Sequence, residues 1–166
     1  TVGTAKVLYK KKLGAEDFEA AKKYIAQALK LAKESEDLEN QAEVIEDRGD
    51  MLRTQGKLSA ARKDFLKAAE LDPSRAKDAY SKIGKLYMSS FKSCLASDSD
   101  PIRDRAVYFA AYDMFAKAGD NAGMSRARAQ FPTKQDVFMY ANNGYEVGGS
   151  IGVGCWIGGT STIRVR

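Results

Sequence analysis

Apolar residues recur every three or four positions over residues 4–129 of the chain, and this spacing predicts helices. The clearest stripe consists of Phe18, Ala21, Ile25, Ala28, Leu29 and Ala32. Residues at this spacing lie on one face of an α-helix, which can then be buried against a neighbouring helix. Similar stripes follow along the chain, interrupted by Gly14, Gly56, Asp72-Pro73 and Gly119. We therefore predict an all-α region made of helices joined by short turns.

The composition changes after Lys134, where Gly and β-branched residues replace the mixture of Ala, Lys and Glu. Two β-rich segments, 151–157 and 160–166, flank Gly158-Gly159, a typical hairpin turn. Because an isolated hairpin is marginal in water, we expect it to dock on the last helices, with Arg164 and Arg166 exposed at its edge. We predict helical repeats over residues 1–130 and a linker with a Gly-rich β-hairpin cap over residues 131–166.

The chain contains no His, although it has 2 Cys, 27 Lys+Arg and 22 Asp+Glu. Without His it lacks the commonest general base and the commonest metal ligand, and 2 Cys do not make a usual zinc site. No carboxylate lies in an apolar segment that would raise its pKa for catalysis. We predict that the protein is not an enzyme and that it uses no cofactor or metal.

Charge is distributed in blocks of alternating sign, although the net charge is +5. The acidic segment 34–50, in which Arg48 is the only basic residue, lies between two basic segments. Nucleic-acid binding needs a continuous basic stripe, so we expect no nucleic-acid partner. No run of apolar residues is long enough to span a membrane.

Residues 42–75 contain small and apolar residues at a characteristic spacing: Gly49, Leu52, Gly56, Ala61, Phe65, Ala68 and Pro73. The small residues allow two helices to approach closely, Leu52 and Phe65 fill the space between them, and Pro73 ends the unit. This pattern resembles the tetratricopeptide repeat (TPR). With looser matches on both sides, the resemblance extends over about residues 4–118. It implies a TPR-like right-handed helical solenoid of about three helix pairs with a C-terminal β-hairpin.

The third helix pair departs from the regular spacing. Gly84 follows Gly49 by 35 residues, close to the repeat length, but Ala111 follows Ala61 by 50. We therefore predict that both helices of this pair are lengthened, the first of them over about residues 80–95.

TPR solenoids bind extended or helical peptides in a concave groove lined by the first helix of each repeat. Transferred by position, the resemblance places in that groove Glu43, Glu46, Asp50, Arg53, Asp78, Ser81, Lys85 and Met88. TPRs that bind a free carboxylate have Lys and Asn where this chain has Glu46 and Asp50. The resemblance thus implies a non-enzymatic module for a protein or peptide of basic or mixed charge. The open alternative is that these residues are only solvated.

The C-terminal region carries a narrower resemblance, through Ala106–Tyr108 with Ala111-Tyr112, then Phe131–Lys134, Gly154–Ile157 and Thr162–Arg166. These segments are similar to the ending of a group of mostly uncharacterised bacterial exported TPR proteins that close with a Trp-containing hairpin. This likeness implies the cell envelope or periplasm, and otherwise the protein would be cytoplasmic. It also suggests an alternative role as a structural scaffold or oligomerisation segment of a larger envelope protein. Because helical periodicity starts at once and no Met precedes it, we expect a piece of a longer protein or a processed form.

Cys94 and Cys155 are the only cysteines. Cys94 lies at the end of a predicted helix and Cys155 beside Trp156 in the hairpin, so docking of the hairpin would bring them close together. In an oxidising envelope they would form a disulfide. Two free buried thiols are the favoured interpretation.

Overall fold

The computed structural model describes residues 1–95 and 100–166 and divides them into two compact units, Thr1–Ala79 and Tyr80–Arg166. The chain is mostly helical, with a two-stranded antiparallel sheet near the C-terminus, as the sequence predicted. The boundary near residue 130 between repeats and cap stays a prediction. In the part of the chain that the structure describes, no helix is long and apolar enough to cross a membrane.

Unit 1 consists of antiparallel helix pairs. Its helices are α1 (Val2–Gly14), α2 (Phe18–Glu34), α3 (Leu38–Thr54) and α4 (Leu58–Leu71), followed by a 3-10 turn (Pro73–Arg75) and the first turn of α5 (Ala76–Ser89). Helix α1 packs along α2, α2 against α3, and α3 along α4. Asp17 and Asp37 cap α2 and α3, because their carboxylates accept hydrogen bonds from backbone N–H groups of the first turn. The helix boundaries follow the predicted apolar stripes.

The core of unit 1 is built from small residues and a few large ones. Fully buried residues include Ala21, Ala28, Ala61, Ala68 and Phe65. The hydroxyl of Tyr9, itself 1% exposed, donates a hydrogen bond of 2.6 Å to the backbone oxygen of Asp47, which joins α1 to α3. Small residues at these positions let the helices approach closely enough for the few large side chains to fill the gaps.

The described part of unit 2 contains the rest of α5, four further helices and the hairpin. The elements are a 3-10 turn (Lys92–Cys94), α6 (Pro101–Asp104), α7 (Ala106–Ala118), α8 (Asn121–Arg128), α9 (Lys134–Met139), a 3-10 turn (Ala141–Asn143), β1 (Ser150–Gly152) and β2 (Thr160–Thr162). The strands pair antiparallel, with Ile151 opposite Ser161. Phe115 on α7 is fully buried between two glycines, Gly84 on α5 and Gly123 on α8.

The prediction that both helices of the third pair are lengthened is wrong. Helix α5 has 14 residues and ends at Ser89, not near Leu95, and α7 has 13. The extra residues of the chain lie between these helices. At the end of α5 the hydroxyls of Ser89 and Ser90 both donate to the backbone oxygen of Leu86, at 2.8 Å each. Such side-chain bonds compete with the backbone ladder and favour the end of a helix.

The hairpin docks on the helices of its own unit, as expected, but its turn is wider than predicted. Strands β1 and β2 are connected by residues 153–159, so Gly158-Gly159 is only the end of the connection. Arg164 was expected to be exposed at the edge, and this expectation is wrong. Its Nη2 donates to Asp113 Oδ1 on α7 at 2.7 Å, and its guanidinium lies 4.9 Å from the centre of the Tyr112 ring.

Cys94 and Cys155 form a disulfide with a Cα–Cα distance of 5.4 Å, so the favoured interpretation as free buried thiols is wrong. Cys155 lies in the connection between the strands, where Trp156 packs edge-on against Tyr87 and donates from Nε1 to the hydroxyl of Ser90 at 3.2 Å. Docking of this tryptophan beside α5 brings Cys155 to Cys94. The physical reason for the error is that this docking places the two Cα atoms at the spacing of a disulfide, with Cys94 half-buried and Cys155 exposed.

Asp100 joins α6 to the segment before the hairpin. Its carboxylate caps α6 through the backbone N–H groups of Ile102 and Arg103, and accepts 2.7 Å and 3.2 Å hydrogen bonds from Tyr145 and Asn143. Burial opposes ionisation, but these hydrogen bonds outweigh it and hold the pKa of Asp100 below its usual value.

We expect Asp100→Ala to lower the free energy of unfolding by about 2 kcal/mol at pH 7, because a cap is lost and Tyr145 loses its acceptor. The pKa of Asp100 is lower in the folded than in the unfolded protein, so the ionised carboxylate stabilises the fold at pH values above its unfolded pKa. This contribution is lost as the pH falls through the folded pKa. Urea unfolding at pH 7 and at about pH 3 measures the difference between variant and parent, which should shrink in acid. Glu146→Ala, at an exposed site, is the control; an equal loss at both pH values would contradict the expectation.

Candidate protein-binding surface

The α3–α4 pair is held together by a close approach at Gly49. A Cβ atom added there would lie 2.7 Å from Cε1 of Phe65 on α4, so only glycine leaves room for this ring. Beside it, Arg48 donates from Nε and Nη2 to both carboxylate oxygens of Asp64, each at 2.7 Å. These contacts fix the orientation of α3 on α4 and therefore which face of α3 points away from the core.

Glu46, a predicted groove residue, is buried and paired. Its Oε2 accepts a 2.7 Å hydrogen bond from Nη1 of Arg75, whose Nε donates at 3.1 Å to Asp72 Oδ2. Burial opposes the charge on Arg75, but the hydrogen bond and charge of Glu46 outweigh it and raise the pKa of the guanidinium. Arg75 thus binds the 3-10 turn after α4 to the middle of α3. This arrangement gives Glu46 a role in positioning the repeat.

The other predicted residues of α3 lie nearer the solvent. Glu43 is half-buried and forms an ion pair with Lys6 of α1. Arg53 is exposed and its Nε lies 3.4 Å from Oδ1 of Asp50. Ion pairs between partly exposed side chains contribute little to stability. The structure brings Glu43, Glu46, Asp50 and Arg53 together along one face of α3.

The four predicted residues of the next repeat are all on α5. Asp78 belongs to unit 1 and is exposed. In unit 2, Ser81 donates a 2.8 Å hydrogen bond to Asp120, Lys85 is exposed and Met88 is half-buried. The structure describes these residues within their own units, and their joint action with the α3 residues as a groove stays a prediction.

Sequence reasoning missed the partners that hold this surface. Arg75 lies 29 residues from Glu46 and Asp64 lies 16 from Arg48. The Arg48–Asp64 pairing could have been predicted from the sequence, because two helices joined by a short turn place residues at equal distances from the turn opposite each other. Sequence reasoning also missed Asp47, whose Oδ2 is buried without a hydrogen bond; burial, opposed by Lys10, raises the pKa of this carboxyl. Among residues 1–95 and 100–166, no three acidic or Cys side chains are placed to hold a metal.

A comparison with protein-family models matches most of the segment that forms α3, α4 and the following 3-10 turn. A family model described as "Tetratricopeptide repeat" matches residues 42–75. The chain contains a tetratricopeptide repeat. The TPR match begins in α3 and ends at Arg75, so it includes both Gly49–Phe65 and Glu46–Arg75 contacts.

Among solved structures, the chain is similar to the crystal structure of BtubC (BKLC) from P. vanneervenii. The two are 17% identical, the match covers 87% of this chain, and the TM-score is 0.49. The chain spans 65% of that protein's length. No curated protein sequence matches the chain.

Proposed function

We propose that the chain is a non-enzymatic protein-binding module that uses one face of its TPR helices. TPR repeats in general mediate protein–protein interactions, and they are generally not enzymes. The observation that carries the proposal is the repeat at residues 42–75, whose first helix has Glu43, Asp50 and Arg53 along one face. The proposal includes a right-handed solenoid of about three helix pairs. Its concave groove would continue to Ser81, Lys85 and Met88.

Charge indicates the kind of ligand. Glu43, Asp50 and the exposed Asp78 are acidic, and Arg53 is the one basic residue beside them on α3. A basic or mixed-charge protein segment would complement this surface and would be attracted to it over several ångströms. Glu46 contributes through Arg75, by fixing the position of the surface, and does not need to touch the ligand.

The test is affinity capture from the source cell with the parent chain and with Asp50→Lys/Asp78→Lys. We expect the variant to lose its specific partners, because like charges across an interface are strongly unfavourable. Glu70→Lys, which reverses an exposed acid on α4, is the matched control and should keep them. Unchanged partners with the double variant would overturn the assignment. A molecular mass that rises with concentration, together with no captured partner, would favour the scaffold or oligomerisation role.

We also propose that the protein works in an oxidising compartment such as the cell envelope. The support is the Cys94–Cys155 disulfide, because disulfides persist in oxidising compartments and are rare in the reducing cytosol. Cells treated with a thiol-alkylating maleimide should yield unlabelled protein, and labelling at two sites should appear only after reduction. Full labelling without reduction would contradict this location.

A further inference from the structure

Unit 1 contains a groove of about 490 Å³ between α2 and the second half of α3. This volume lies in the range of pockets that hold ligands. The side of α2 that lines it contributes Lys22, Ile25, Ala26, Leu29, Lys30 and Lys33. These positions recur every three or four residues along about 16 Å of helix, or three turns. The opposite side consists of Arg48, Met51, Leu52, Gln55 and Lys57.

The floor of the groove is apolar. Ile25 and Met51 are 2% and 3% exposed, and Leu29 and Leu52 are half-buried beside them. Among the described residues no aromatic side chain lines the groove, so stacking of nucleic-acid bases has no support there. An apolar floor that lysines flank over three turns of α2 is instead suited to an amphipathic helix, which places apolar residues at i, i+3, i+4 and i+7.

All charged residues that line the groove are basic: Lys22, Lys30, Lys33, Arg48 and Lys57. Arg48 is bound to Asp64, and Lys30 lies 3.8 Å from Glu34 at the surface. In the described chain, no ion pair engages Lys22, Lys33 or Lys57. Three uncompensated ammonium groups around an apolar floor produce a positive potential that acidic side chains would complement.

This groove is distinct from the surface in the proposed function. Arg48 follows Glu43 by five residues, which is about 140° around a helix of 3.6 residues per turn. Met51, Leu52 and Gln55 lie on the same side as Arg48, whereas Asp50 and Arg53 lie on the side of Glu43. The two surfaces therefore occupy opposite faces of α3 and have opposite charge.

We propose that the groove between α2 and α3 binds an acidic amphipathic helix of a partner protein. The apolar face of that helix packs on Ile25, Leu29 and Leu52, and its flanking carboxylates face Lys22, Lys33 and Lys57. The binding relies on contacts within unit 1 and does not depend on the acidic face of α3.

The probe is a labelled peptide of about 14 residues, or four turns, with Leu at i, i+3, i+4 and i+7 and Glu at most other positions. We expect saturable binding to the full chain that weakens as salt is added. A scrambled peptide of the same composition should bind about tenfold or more weakly, because its apolar face is broken up. Equal binding of the two peptides would overturn the proposal, since charge alone would then explain the interaction.

Two variants test the groove itself. Lys22→Glu/Lys33→Glu should weaken peptide binding about tenfold or more, and the matched control Lys23→Glu/Lys63→Glu, at exposed sites outside the lining, should not. Ala26→Glu places a carboxylate in the groove at an exposed position and should also block binding, whereas the neighbouring Gln27→Glu should not. Thermal unfolding by circular dichroism verifies that each variant is folded. Unchanged affinity in both groove variants would overturn the proposal.

Two other probes separate this inference from the proposed function. The same peptide with Lys in place of Glu should not depend on Lys22 or Lys33, and any binding of it should respond to Asp50→Lys. If the basic peptide does not bind, the proposal for the groove stands, and only the proposed function of the acidic face of α3 is contradicted. Dodecanoate is the second probe: if it fills the groove while the acidic peptide does not bind, the occupant is a fatty acid and the proposal fails.

Discussion

Replacing both cysteines, in Cys94→Ser/Cys155→Ser, should lower the free energy of unfolding by about 4 kcal/mol. The disulfide joins residues 61 apart, and a cross-link of that span removes about this much chain entropy from the unfolded state. The loss should fall on unit 2, because both cysteines and all residues between them belong to it. It should be among the largest effects of any conservative substitution in the chain.

Urea unfolding measures this effect with two independent signals. Trp156, the only tryptophan, lies beside Cys155 in unit 2, so its fluorescence follows that unit, whereas far-ultraviolet circular dichroism follows the helices of both units. The parent protein in excess dithiothreitol is the control and should match the double variant. A change in stability smaller than about 1 kcal/mol would mean that the crosslink does not constrain the unfolded chain as proposed.

Gly123→Ala should destabilise unit 2 by about 3 kcal/mol, at the upper end of the usual cost of overpacking. The added Cβ would lie 2.3 Å from Cδ1 of Phe115, a fully buried ring that Gly84 contacts from another helix. A Cβ at Gly84 would lie 2.6 Å from Cε1 of the same ring, so the ring is in close contact with glycines on two helices. Glycines on α5 and α8 thus leave the space that Phe115 fills.

The measurement is again urea unfolding, with a rescue experiment that isolates the cause. Adding Phe115→Leu to Gly123→Ala should recover part of the lost stability, because the smaller side chain relieves the overlap. Gly14→Ala is the matched control: no atom lies within 4 Å of an added Cβ there, and alanine is the better helix former. If Gly123→Ala were as mild as Gly14→Ala, the close approach around Phe115 would not be needed for stability.

Local spacing predicted most of the helices and the repeat, because the period of apolar residues and the position of Gly49 are properties of short segments. The α3–α4 pair was predictable for this reason. The end of α5 was not, since it depends on Ser89 and Ser90 bonding to Leu86, a choice that apolar periodicity does not reveal.

Contacts between distant residues could not be predicted for a different reason. Glu46 was assigned to a ligand-binding groove, and its partner Arg75 is 29 residues away, outside the first helix on which the assignment was based. The sequence suggested that Cys94 and Cys155 could meet, but the interaction that brings them together is the docking of Trp156 on Tyr87 and Ser90. The lysines around the α2–α3 groove each look like ordinary surface residues until the two helices are placed side by side.

The attachment of the hairpin to α5 and α7 has a consequence for the order of events during synthesis. Asp113 can accept hydrogen bonds from Ser161 and Arg164 only after these late residues have left the ribosome. The same holds for the disulfide between Cys94 and Cys155. Unit 1 has all of its helix pairs by then and can fold as soon as it emerges. A nascent chain that stops short of residue 155 therefore lacks the partners that Cys94 and Asp113 have in unit 2.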